Sequence, residues 1–198
     1  MSLTDPDRRL LRLFLACVVG NWEEVRRLRR AASAGEPNRR WREALLQVHL
    51  FAGVPRQVEA AGVLVTAGGL GTLDPDELEG TSDVRERGAA LFDRIYADDS
   101  DAVRGMLARG HPDFERWVLE HAYGRVLSRP GLPPDRRELL AVVALAALGQ
   151  ERQLASHVRG ARRCGASAEE ISEALEAVSD LMEPARLEAA HRLIARLP

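Results

Sequence analysis

Apolar positions fall into runs of helical length, separated by short breaks rich in proline, glycine and polar residues. Asp5-Pro6 supplies a cap and a proline at the first helical position, ahead of an apolar stretch from Leu10 to Val19. Asn21 caps a second helix with Glu23 and Glu24 in its first turn, where the helix dipole favours anions. Pro37 opens a third through Ala44, Leu45, Val48 and Phe51, and Pro55 opens a fourth to about Val65. The pattern then breaks. Residues 66–83, with Gly68-Gly69-Leu70-Gly71 and Asp74-Pro75-Asp76, read as a linker. Helices resume over 84–97, 100–109, 112–127, 134–148, 150–163, 168–181 and 184–197, with a capping box at Ser167 and Glu170. Alternating strand signals are absent from this pattern, so the fold class is all-α.

The breaks also recur. Shifted by about 129 residues, Asp7-Arg8-Arg9 and the run at 10–19 parallel Asp135-Arg136-Arg137 and the run at 139–148. Gly20 then matches Gly149, Gly35 matches Gly165, Val48 matches Val178 and Pro55 matches Pro184. Glu59-Ala60-Ala61 likewise matches Glu188-Ala189-Ala190. This reads as a duplication with an insert: two related helical units in one chain.

Composition removes several chemistries. All 28 basic residues of the 198 are arginine, so no Schiff-base lysine and no lysine-bearing phosphate loop can be built. With 30 acidic residues the net charge is −2, which argues against a nucleic-acid surface along the whole chain. The charge is uneven: 11 Arg against 7 acids in 1–66, 7 against 13 in 67–127, and 10 against 10 in 128–198. The patches Arg26-Arg27, Arg29-Arg30 and Arg39-Arg40 lack interleaved aromatics and read as solvated helix faces. Cys17 and Cys164 are far apart, which fits neither a disulfide framework nor a zinc site. Apolar runs of ten residues are too short to span a bilayer, and the N-terminus lacks a signal-peptide pattern. A soluble cytoplasmic protein without metal, cofactor, nucleic-acid or membrane partner is the expectation.

One constellation carries chemistry. Glu138 lies eleven residues before Gly149 and His157 eight after it, so an antiparallel hairpin brings them to heights differing by about 4–5 Å. Gln150, Gln153 and His157 share a helix face. A carboxylate beside an imidazole is a general-base arrangement, in which the carboxylate fixes the tautomer and the histidine moves the proton. The same spacing also suits a histidine capped by a glutamate inside a bundle. Further candidates are His121 and Tyr123 on the helix before Ser128-Arg129-Pro130-Gly131-Leu132, and Arg129, which is either a carboxylate clamp or a salt-bridge partner.

The stretch RELLAVVALAALGQERQLASHVRGARRCGASAEEISEAL resembles the carboxymuconolactone decarboxylase family, which includes the alkylhydroperoxidase D-type proteins. The resemblance extends upstream through RGAALFDRIYA and HAYGRVLSRPGLPPDRREL. It implies an alkylhydroperoxidase D-like helical bundle, with a complete domain at 84–198, a linker at 66–83 and a degenerate half at 1–65. EALLQVHLFAGVPRQVEAA in that half resembles the family's C-terminal helix pair more closely than the second copy does, where Leu181-Met182-Glu183-Pro184 replaces the usual aromatic-Ala-Gly-x-Pro turn. Family peroxidases carry a glutamate, a CxxC pair and a histidine. Here Glu138 and His157 match, but Gln150 and Gln153 occupy the cysteine positions, which removes thiol chemistry there. Leu28 stands where His157 would fall in the first half.

The resemblance therefore implies non-redox acid/base chemistry on a small carboxylate or lactone, closer to a lyase than to a peroxidase. His157 would be the acid/base, Glu138 its orienter, Gln150 and Gln153 polar contacts, and Arg129 or Arg159 the anion's partner, with His121 and Tyr123 as further pocket residues. It also implies a homo-oligomer, in which His49 is either a packing residue or reaches a shared pocket. A non-catalytic helical assembly or binding protein is the competing expectation, and a thiol peroxidase a third.

Overall fold

The protein is described by a computed structural model that covers residues 2–32, 38–78 and 83–197. Pro37 and Gly35, with residues 79–82 of the linker, lie outside the described residues. The helices are α1 (Asp5–Val19), α2 (Trp22–Ala31), α3 (Asn38–Gln47), α4 (His49–Thr66), α5 (Val84–Tyr96), α6 (Ser100–Gly110) and α7 (Pro112–Trp117). A π-helical segment (Val118–Leu127) continues α7, and α8 (Pro134–Leu148), α9 (Glu151–Cys164), α10 (Ala168–Glu176) and α11 (Pro184–Ile194) follow. No strand occurs among the described residues, and the fold is an all-α bundle.

Helix α8 is the axis of the fold. Every residue from Arg137 to Ala146 is buried, so α8 has no solvated face, and α1, α4, α9, α10 and α11 pack around it. Helix α1, which buries Leu10, Leu11 and Leu13–Val18, lies against α8. One apolar cluster runs through both and takes in residues from α2, α3 and α4 as well as α9, α10 and α11. Each large aliphatic side chain fully buried there contributes about 1.5–3 kcal/mol. Both axial helices are 15 residues long and end at a glycine in the left-handed region, Gly20 at φ 78° and Gly149 at φ 66°. The guanidinium groups of Arg56 and Arg186 fill the space a Cβ would need at these glycines.

A second cluster packs α5 and the π-helical segment against the end of α9, with Phe92, Ile95, Tyr123 and Cys164 inside it. The single helix expected over 112–127 ends instead at Trp117, and the chain widens into π geometry. A Cβ at Gly88 or Gly124 would strike the opposing backbone, so these helices touch main chain to main chain. That tertiary fit overrides the 3.6-residue period.

Other boundaries shift for physical reasons. The helix expected to run to Phe51 breaks after Gln47, and α4 kinks at Gly53, φ 79°, ahead of Pro55. Helix α10 stops at Glu176 rather than at 181, where Arg12 of α1 donates to the carbonyl of Ala177 and pairs with Asp180 at 2.6 Å. Helix α11 ends at Ile194. The described part of 66–83 is docked on α2 and α3. Arg42 holds Glu77 and the Leu70 carbonyl, Arg29 holds the Gly69 carbonyl at 2.6 Å, and Arg39 pairs with Asp76 at 2.6 Å.

Candidate active site

The α8–α9 hairpin places the two residues that spacing singled out face to face. His157 Nδ1 lies 2.9 Å from Glu138 Oε2. Glu138 is fully buried and His157 is 9 % exposed. With Nδ1 committed to the carboxylate, Nε2 is the nitrogen left to move a proton. Gly160, one turn beyond His157, makes the contact possible. A Cβ there would lie 2.5 Å from Glu138 Oε2 and 2.8 Å from Ile95 Cγ2. Sequence reasoning missed Gly160. Its signal was a glycine inside a helix, which costs about 1 kcal/mol relative to alanine and so marks a close approach.

The walls come from both ends of the chain. Phe51, in the short first arm of α4, sets its ring edge-on to His157 at 6.4 Å and 69°, and is itself braced edge-on by Phe14 at 5.9 Å. Beyond Glu138, Tyr123 donates to the Tyr96 hydroxyl at 3.2 Å, and Phe92 packs tilted against Tyr96 and edge-on against Tyr123. Tyr96 was not among the expected site residues, because no spacing rule joins α5 to α8.

Burial alone pushes the His157 proton affinity down. The charge of Glu138 and its hydrogen bond push it up further, so the imidazole titrates above its ordinary 6.5. Glu138 Oε1 is buried without a hydrogen-bond partner among the described residues. The carboxylate thus relies on one strong partner, where an ionised carboxylate accepts several. Burial, and then the nearby Tyr96 and Glu138, hold the Tyr123 phenol well above its usual range. Burial and then Glu138 raise the Cys164 thiol to about 11, and burial raises Cys17 to about 12. Both thiols are protonated at neutral pH, and so are not nucleophiles.

The remaining candidates disperse. Gln150 and Gln153 are exposed at the start of α9. Arg129 is a salt-bridge partner: its guanidinium is held at 3.0 Å by Glu43, and it also donates to the Glu77 carbonyl. Arg159 is half-buried, with no ion-pair partner among the described residues. His121 and Tyr123 point apart. Tyr123 enters the core, whereas His121 is exposed and sets its Nε2 2.7 Å from His49 Nε2.

Residues 112–194 match the model of the carboxymuconolactone decarboxylase family. Over this part the chain is similar to that family. The 4-carboxymuconolactone decarboxylase of Acinetobacter baylyi is 39 % identical over 61 residues, covering 31 % of this chain and 46 % of the relative. Peroxisomal protein 2 of Schizosaccharomyces pombe is 28 % identical over 138 residues, covering 67 % of this chain and 64 % of the relative. The chain thus spans about half to two-thirds of the curated relatives it matches. The family segment contains Glu138, Gly160 and His157, while Phe51 and His49 lie outside it. No helix among the described residues is long and apolar enough to cross a membrane.

Proposed function

We propose that the chain is a carboxymuconolactone-decarboxylase-like protein that performs non-redox acid/base chemistry on a small carboxylate or lactone. The observation that carries this reading is the buried 2.9 Å contact of Glu138 with His157 in a site without a reactive thiol. Glu138 holds the proton on Nδ1 and stabilises the imidazolium, and Nε2 takes a proton from the substrate or returns one. Phe51 sets its ring edge-on to the imidazole. Of the two arginines considered for the anion, Arg129 is occupied by Glu43, and Arg159, two residues along α9 from His157, projects from a different face of that helix, so neither stands beside the imidazole. The similarity to a 4-carboxymuconolactone decarboxylase supports a substrate that is both anion and lactone.

The near-complete burial of His157 favours a second reading, a non-catalytic binding or assembly protein on the same scaffold. Carbon dioxide release from 4-carboxymuconolactone separates the two. We expect turnover that falls about 100-fold or more in His157→Gln, the usual worth of a positioned acid/base. Wild-type protein that stays folded and shows no turnover, or turnover that survives the substitution, overturns the catalytic reading.

A further inference from the structure

Arg87 of α5 carries a charge that the fold does not answer. It is half-buried, and its Nε is buried without a hydrogen-bond partner among the described residues. Its guanidinium reaches the Gly124 carbonyl only at 3.4 Å, and that oxygen already accepts from the Ser128 hydroxyl at 2.7 Å. No carboxylate among the described residues stands within ion-pair distance of it, Asp83 and Glu86 on its own helix included. Other half-buried arginines are placed differently. Arg12 holds Glu24, Arg40 holds Asp7, Arg42 holds Glu77 and Arg136 holds Glu170. A guanidinium drawn partly out of water calls for an anion, and at Arg87 the chain supplies none.

Arg87 lines a groove of about 670 Å³ whose other wall is the loop 127–134 ahead of α8. Pro130 and Pro133 are exposed there, and Leu127 and Leu132 are buried. Arg129 lines it too, and its charge is only half answered. It shares Glu43 with Arg137, so two guanidinium groups rest on one carboxylate. The acids next to this loop are taken, Glu77 by Arg42 and Asp76 by Arg39. The groove therefore faces two positive charges, one from Arg87 and one from the Glu43 trio.

These walls narrow the ligand. The fork of a free guanidinium matches the two oxygens of a carboxylate. Prolines and leucines would leave most oxygens of an inorganic phosphate without donors, so an apolar body has to accompany the anion. A volume within the roughly 300–1,000 Å³ of small-molecule sites has room for a ring.

We propose that this groove binds a small monocarboxylic acid with a compact apolar ring, its carboxylate on the Arg87 guanidinium and its ring against Pro130 and Pro133. The site shares no residue with the Glu138–His157 pair and does not depend on that pair's chemistry.

Titration calorimetry of the full chain with cyclohexanecarboxylate, cyclohexanemethanol, acetate and inorganic phosphate tests the assignment. Cyclohexanecarboxylate should bind, and each of the others should bind at least about tenfold more weakly, because each lacks one half of the recognition. Arg87→Gln and Pro130→Asp, checked for fold by circular dichroism, should each weaken cyclohexanecarboxylate binding by about tenfold or more. His157→Gln should leave it intact. The proposal falls if cyclohexanecarboxylate does not bind, or if the alcohol or phosphate binds as well. It also falls if folded Arg87→Gln binds like the wild type, or if His157→Gln abolishes binding, which would move the ligand to the other site. If Arg87→Gln does not fold, Pro130→Asp decides by the same criterion.

Discussion

Two glutamates are fully buried among the described residues, and they are held in opposite ways. Glu43 of α3 meets two arginines that never deprotonate. Arg129 grips both oxygens at 3.0 Å, and Arg137, 1 % exposed, reaches one at 2.7 Å. Glu138 of α8 meets one histidine at 2.9 Å and keeps an oxygen unpaired. The first arrangement saturates the carboxylate and ties the first helical unit to the turn before α8. The second leaves a carboxylate under-satisfied beside a base whose titration it raises above the ordinary 6.5. Residue type and burial are the same at the two sites. What separates a structural knot from proton-handling chemistry is the number and kind of partners.

The largest effect is expected at the knot. Glu43→Ala leaves the Arg137 charge buried and unpaired, so urea denaturation should show a loss of about 3–5 kcal/mol. A loss under about 1 kcal/mol would mean that this carboxylate is no better satisfied than Glu138. Next comes Gly160→Ala. In an exposed helix that change stabilises, but here the added methyl falls on Glu138 Oε2 and Ile95, so we expect a loss of about 1–3 kcal/mol in the same assay. A gain in stability would show that the α9–α5 contact has room to spare.

Much of the helical framework is legible in local signals. Asn21 accepts from the Glu24 amide, Ser167 and Glu170 form their reciprocal box, and Gly149 turns left-handed. The cap of α1 falls one residue earlier than Asp5, at Thr4, which boxes with Asp7. The Glu138–His157 contact was legible for a similar reason, because a tight turn converts sequence distance into height along two helices. What was not legible depends on distant partners. The docking of 66–78 rests on arginines of α2 and α3, and the π segment rests on two backbones touching at Gly88 and Gly124. For Arg129 the sequence leaves an anion clamp and a salt-bridge partner equally open, and Glu43, 86 residues away, decides for the second.

The recurring pattern of caps, glycines and prolines has a counterpart in the paired 15-residue axes α1 and α8. We infer a duplication in which the first unit gave up the acid/base pair. The same unit now supplies Phe51 to the pair in the second.

The central claim is that Glu138, not the buried apolar setting, governs the proton on His157. Its direct measurement is an NMR titration of the His157 ring in the wild type and in Glu138→Gln. In the wild type, with the folded value raised, the stability contributed by the His157 proton is complete below the unfolded value of about 6.5 and fades as pH rises through the folded one. The account predicts a midpoint above 6.5 in the wild type that drops below 6.5 in Glu138→Gln, where only burial remains. An unchanged midpoint would contradict it.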